Sequence, residues 1–204
     1  TLLGMELHYK VQGEGQPLLL LHGWGGCIGS CAPVAEVFSA NYQTVSLDFP
    51  GHGLTPEPPE VWSVTEYMEM TAQFIRRMDL GACDIIAHSF GGRVAILLSA
   101  TYPELVHKLV LCDSAGLIPR RGLKYKLRVA RHKLGKKLAR IGWIDRLLHL
   151  TERARNAGSA DYRALSDSMK KVFVRVVNQD LRPYLKGIKA PTLLIWGSED
   201  RDTP

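Results

Sequence analysis

The spacing of apolar positions changes character along this chain. From Glu6 to Gln12 polar and apolar residues alternate, the two-residue period of a half-buried strand. Pro17 then precedes Leu18–Leu21, a continuous apolar run of the kind found in strands covered on both faces. Tyr42–Phe49, Cys83–His88 and Lys108–Asp113 are further strand-like runs. Helical spacing separates them. Pro33–Ala40 predicts a short helix. Ser63 or Thr65 can cap a longer one, with Tyr67, Met70, Phe74 and Met78 along one face and Gly81 beyond its end. Phe90–Tyr102 predicts a third. Strands alternating with helices predict an α/β fold: a mostly parallel sheet flanked by helices on both faces.

The alternation stops at Ala115. Residues 117–187 contain no convincing strand. Leu123, Leu127, Ala130, Leu134, Leu138 and Ile141 recur at three- and four-residue steps, forming one apolar stripe. Ten Lys and Arg between Arg120 and Arg140 fill the other faces. Ala160–Asn178 is a second helical stretch. Lys189-Ala190-Pro191 breaks the pattern, and Thr192–Trp196 predicts a return to a buried strand. The expected organisation is a core built from residues 1–115 and 188–204, interrupted by a helical insertion at 116–187.

Composition and charge extend the picture. With 204 residues and 46% hydrophobic content, the chain can bury one sizeable core. The net charge of +6 hides an asymmetry: residues 116–190 hold 20 of the 26 Lys and Arg against five acids, while the remainder is net acidic. No apolar run approaches the roughly 20 residues a bilayer requires. The first residues, TLLGMELHYK, lack the features of a signal peptide, and the absence of an initiator Met suggests trimming before Thr1. Cys27, Cys31, Cys83 and Cys112 form no CxxC and have no paired His ligands, so neither a metal site nor a disulfide framework is expected. Four free thiols suit a reducing compartment and suggest a cytoplasmic location.

The strongest chemical signal is Ala87-His88-Ser89-Phe90-Gly91-Gly92, placed between a buried strand and a helix. A serine there sits on a sharp turn with its hydroxyl raised above the sheet, and its neighbours must be small because strand and helix crowd them. The usual form is G-x-S-x-G; Ala87 replaces the first glycine.

Four motifs occur in order: HGWGG at 22–26, DFPGHG at 48–53, AHSFGG at 87–92 and PTLLIWGSED at 191–200. Through them the chain resembles, from Glu6 to Pro204, the lidded, esterase-like serine hydrolases of the α/β-hydrolase fold family. The resemblance implies Ser89 as nucleophile and the backbone N–H groups of Trp24 and Phe90 as the oxyanion site. It implies Asp200 as the acid that orients a catalytic histidine, with Glu199 and Asp202 nearby and Asp113 as the alternative acid. It implies that 116–187 is a helical cap. His22 is read as a brace for its loop, and DFPGHG as a structural turn rather than a metal or acid–base pair at Asp48 and His52.

The family order places the catalytic histidine after the acid, and none of the seven histidines (His8, His22, His52, His88, His107, His132, His149) follows Asp200. His132 and His149 lie in the insertion without a supporting motif. The expectation is therefore a C-terminally incomplete core, lacking the last strand, its helix and the histidine. The expected substrate is a small ester-like molecule, cleaved without a cofactor; the Ser nucleophile argues against the relatives that use Asp. A ligand-binding, non-catalytic member of the same fold is the alternative. The basic cap face is read as solvated surface, with attraction of anionic substrates or contact with a lipid membrane as competing readings. No motif supports nucleic-acid binding. Oligomeric state is left open by the sequence.

Overall fold

The computed structural model describes residues 4–118, 162, 164–200 and 203. Residue contacts divide the chain into two compact units, Thr1–Leu117 with Lys171–Pro204, and Ile118–Lys170. The expected insertion ran to residue 187, but Lys171–Gly187 groups with the sheet. Buried Val172, Val176 and Leu181 explain this, together with the Leu181 N–H bond to the Gly116 carbonyl at 3.0 Å. The helical spacing runs on without a break from 160 to 178, so nothing in the pattern marks the boundary. The Leu123–Ile141 stripe, with His132 and His149, lies outside the described residues.

Among the described residues six strands form one sheet: β1 (Tyr9–Gln12), β2 (Gln16–Leu21), β3 (Tyr42–Leu47), β4 (Cys83–His88), β5 (Val106–Cys112) and β6 (Thr192–Ile195). Their spatial order is β1-β3-β2-β4-β5-β6. β1 runs antiparallel to β3, and every other pairing is parallel. The described helices are α1 (Ile28–Phe38), α2 (Val64–Arg77), α3 (Phe90–Thr101) and α4 (Asp167–Asn178). From β2 the chain crosses one way through α1 to β3. It then crosses the other way through α2 to β4 and through α3 to β5. Right-handed crossovers therefore put α1 on one face and α2 with α3 on the other. Side-chain packing agrees. Leu18, Leu20 and Ile86 pack against Cys31, Val34 and Ala35 of α1. Leu19, Leu21, Ile85 and Ala87 alternate to the opposite face and are fully buried. α2 and α3 pack together.

α1 begins at Ile28, five residues before Pro33. Its cap pairs Cys27 with Ser30: the Ser30 hydroxyl accepts the Cys27 N–H at 3.2 Å. Cysteine is not among the residue types that signal a helix start, and Pro33 inside the helix points to the wrong place. α2 starts as expected at Ser63, whose hydroxyl accepts the Thr65 N–H at 3.2 Å while the Glu66 carboxylate accepts the Ser63 N–H at 2.6 Å.

Thr192–Trp196 was expected to be a buried strand, and here the structure corrects the expectation. β6 forms, but among the described residues it lies at the sheet edge and pairs with β5 alone. Leu193 is 56% exposed, Leu194 61%, Ile195 50% and Trp196 40%. A continuous apolar run reports a preference for burial, not the presence of a covering layer. No helix among the described residues is long and apolar enough to cross a membrane.

The Ser63 cap has a measurable consequence. Ser63→Ala is expected to cost about 1 kcal/mol, read as a lower midpoint in urea unfolding with an unchanged m-value.

Candidate active site

β2 and β4 are neighbours, with Leu21 opposite Ala87. The chain leaves β2 toward one edge of the sheet and β4 toward the other. Their carboxyl ends therefore flank a topological switch point, where open α/β sheets bind ligands. Two loops meet there: His22–Gly26 after β2 and the turn at Ser89 after β4.

Ser89 has φ +48° and ψ −106°, a backbone conformation that costs energy for any residue with a Cβ. Three hydrogen bonds hold it. The Ser89 N–H donates to the Cys112 carbonyl at 3.2 Å, the Ala115 N–H donates to the Ser89 carbonyl at 3.1 Å, and the Gly91 N–H donates to the His22 carbonyl at 3.1 Å. The small neighbours are required by space. A Cβ on Gly91 would overlap the Leu21 carbonyl, and one on Gly92 would overlap the Ser114 side chain. Ala87 is fully buried.

The loop after β2 closes on itself through a Gly26 N–H bond to the Gly23 carbonyl at 3.0 Å. Gly25, at φ +75°, occupies the turn position that needs glycine. The loop abuts the elbow: a Cβ on Gly23 would stand 2.8 Å from His88 Nδ1 and 3.4 Å from Ser89 Cβ. No described residue engages the backbone N–H of Trp24 or of Phe90. Phe90 opens α3, so its amide is one of the unpaired donors at a helix N-terminus. The Trp24 indole meets His52, Phe90 and Phe173 edge-on, at centroid distances of 4.8, 5.2 and 5.1 Å.

His22 braces this loop, as expected. Its Nε2 accepts the Phe49 N–H at 3.0 Å. That leaves Nδ1 as the protonated nitrogen, donating to the Gly23 carbonyl at 2.7 Å. Burial lowers its pKa and keeps it neutral. Asp48 is also structural. Its carboxylate accepts the Ile28 N–H at 2.7 Å and the Leu54 N–H at 2.9 Å, and pairs with His8 Nδ1 at 2.7 Å. Burial pushes the Asp48 pKa up, but the Leu54 amide, His8 and the Ile28 amide outweigh it and hold the carboxyl below its ordinary value. One buried anion thus ties the lead into β1, the start of α1 and the 50–55 turn together. His52 donates from Nδ1 to the Pro50 carbonyl at 3.2 Å, and its buried Nε2 has no hydrogen-bond partner among the described residues. Burial and the neighbouring His22 ring bring its pKa down to about 4.

The two candidate acids meet in one cluster. Asp113, at φ +42°, follows Cys112, the residue that accepts the Ser89 N–H. Its Oδ1 accepts the Gly197 N–H at 2.8 Å, and its carbonyl accepts the Thr203 hydroxyl at 3.0 Å. The Asp200 N–H donates to the Gly197 carbonyl at 3.1 Å, and the Asp200 carboxylate accepts both the N–H and the hydroxyl of Thr203. Gly197 and Thr203 therefore link Asp113 to Asp200. The structure brings Trp24, Ser89 and Phe90 together directly, and joins Asp200 to them through Asp113.

Among the described residues no histidine hydrogen-bonds the Ser89 hydroxyl. His8 pairs with Asp48 and His107 with Asp84. His88 is exposed beside Gly23. Sequence reasoning missed Phe173 at Trp24, and also Gln179. The Gln179 side chain accepts the Val64 N–H at 3.0 Å, and its carbonyl accepts from Arg93 at 3.0 Å. These contacts span more than 80 residues of chain, and no local pattern announces them.

A sequence profile of the alpha/beta hydrolase fold matches residues 16–131. A serine hydrolase-like protein of Danio rerio is 35% identical over 118 residues, which is 56% of this chain and 36% of that protein. The 2-hydroxy-6-oxo-6-(2'-aminophenyl)hexa-2,4-dienoic acid hydrolase of Metapseudomonas resinovorans is 25% identical over 224 aligned positions, covering 98% of this chain and 73% of that enzyme. The crystal structure of a bacterial membrane phospholipase A superposes with a TM-score of 0.72 at 28% identity, over 98% of this chain and 69% of that one. The chain thus spans little more than a third of its Danio rerio relative.

The buried neutral His52 predicts a pH dependence of stability. Its folded pKa, about 4, lies below the ordinary 6.5. The unfolded chain therefore takes up a proton that the folded chain refuses. This stabilisation is complete above about pH 6.5 and is lost as pH falls toward about 4, on the order of 3 kcal/mol. Urea unfolding from pH 7 to pH 4 should show the decline, and His52→Gln should flatten it.

Proposed function

We infer the function from the family: the chain belongs to the α/β-hydrolase fold family, and we propose that it forms the nucleophile-bearing part of a serine hydrolase. The observation that carries this reading is Ser89 at φ +48°, heading α3, with the unengaged Trp24 and Phe90 amides beside it. The proposed bond class is a carboxylic ester or a related acyl bond. The names of its relatives, a hydrolase of a hexadienoic acid and a phospholipase A, support hydrolysis and differ in substrate.

In the proposed scheme Ser89 Oγ attacks the substrate carbonyl carbon while a histidine takes its proton. The carbonyl oxygen becomes an oxyanion between the Trp24 and Phe90 N–H groups, and the positive end of α3 favours that charge. The intermediate collapses, and the leaving alkoxide receives the proton from the histidinium. Water then releases the acyl group from Ser89 by the same route. Asp200 orients the histidine, with Asp113 as the competing acid. The base is proposed to be a histidine outside the described residues, because none of the described histidines hydrogen-bonds the Ser89 hydroxyl and the family order places it after the acid. The helical insertion is proposed as the cap that selects the acyl group. No cofactor enters the scheme. Four free thiols support the cytoplasmic placement suggested by composition.

The test uses the full-length protein and a fluorophosphonate probe. Ser89 should be labelled, and Ser89→Ala should abolish labelling and lower kcat on p-nitrophenyl acetate by at least roughly a thousandfold. Asp200→Asn should cost roughly a hundredfold or more, and Asp113→Asn far less. Absence of labelling in the wild type would favour the alternative of a ligand-binding protein that has kept the fold.

A further inference from the structure

Phe173 lies far from every motif in the sequence, yet it touches the residue whose amide forms half of the proposed oxyanion site. Its ring centroid lies 5.1 Å from that of Trp24, with the planes at 64°. On another side Trp24 meets Phe90, the residue bearing the other amide, at 5.2 Å and 78°. His52 closes a third side at 4.8 Å and 87°. Edge-to-face contacts of this kind fix ring orientation as well as burying area.

Trp24 sits in a glycine-rich turn whose hydrogen-bond restraints converge on the Gly23 carbonyl and leave Trp24's own N–H unengaged among the described residues. Gly23, Gly25 and Gly26 surround it, and the turn holds one internal backbone bond. Such a backbone is soft, so the indole is the handle by which its position is set. Phe90 lies on a helix and His52 is tied to Pro50, so both are held elsewhere. Phe173 is anchored as well. Val172 and Val176 on α4 are buried, and the Gln179 side chain caps the start of α2 through the Val64 N–H.

We propose that Phe173 is a positioning residue: it clamps Trp24 against Phe90 and so fixes the two oxyanion amides relative to each other. This rests on the hydrolase reading above. The clamp acts on the transition state, because the amides matter most where negative charge develops. Its loss should therefore lower kcat and leave KM nearly unchanged.

The experiment compares Phe173→Ala, Phe173→Tyr and Val174→Ala in the full-length protein. Val174 is exposed on the same helix and serves as the control for helix damage. For Phe173→Ala on p-nitrophenyl acetate, kcat should fall about tenfold with KM within about twofold, a fraction of what losing a whole oxyanion donor costs. Affinity for a phenyl trifluoromethyl ketone, which forms an oxyanion adduct, should fall in parallel. Backbone amide exchange across residues 22–26 should accelerate. Phe173→Tyr should restore all three, and Val174→Ala should change none. Wild-type kcat and ketone affinity in Phe173→Ala would overturn the proposal. So would a rise in KM at constant kcat, which marks a substrate wall, or a loss that Phe173→Tyr does not rescue. If wild-type Ser89 is not labelled by fluorophosphonate, the hydrolase reading fails and this inference fails with it. If Ser89 is labelled and Phe173→Ala behaves as wild type, only the inference fails.

Discussion

The close approach of the first turn of α3 to the end of β2 holds the site together. The Gly91 N–H reaches the His22 carbonyl at 3.1 Å, a distance open only to a residue without a Cβ. Through that contact the elbow after β4 and the loop after β2 become one unit. The strained backbone of Ser89 costs on the order of 1–3 kcal/mol. Burial of α3 residues such as Val94, Leu97 and Leu98, together with the bonds to Cys112 and Ala115, offsets it. Strain held this way fixes the backbone from which the Ser89 side chain projects.

The same economy governs the charged and titratable groups around the site. Asp48 is a buried anion, which is tolerable only because two amides and His8 supply its hydrogen bonds. His22 and His52 lie 5.5 Å apart between ring centroids, and burial keeps both neutral. A charge on either would be starved of solvent, and charging both would set two cations side by side. These residues hold the walls of the site in place, while the proposed chemistry falls to a serine hydroxyl and two backbone amides. That division explains why the DFPGHG turn carries residues that look reactive and are not placed to react.

Much of this was legible in the residues, for local reasons. Leu18–Leu21 reads as a strand because its apolar run is continuous, and Ser63 announces α2 because a cap is a short-range device. Ser89, Gly91 and Gly92 stand out because the elbow demands small residues at fixed offsets. What could not be read was set at long range. Cys27 caps α1 only through its backbone geometry with Ser30. β6 looks buried because Leu193, Leu194 and Ile195 are apolar, while exposure depends on what packs against them. Phe173 is one apolar residue among several on an amphipathic helix, and only the fold places it against Trp24, 149 positions earlier. The choice between Asp113 and Asp200 stays open in the sequence because each follows a strand in the run of parallel strands, and the structure joins them through Gly197.

The central claim is that Ser89 carries the acyl group during turnover. The direct measurement is quenched-flow mixing of the full-length protein with p-nitrophenyl acetate, followed by proteolysis and peptide mass spectrometry. The account predicts an acetyl increment on the peptide containing Ser89, formed and lost at rates compatible with turnover. Turnover at full rate with no acetyl adduct on Ser89, or an adduct on another residue, would contradict it.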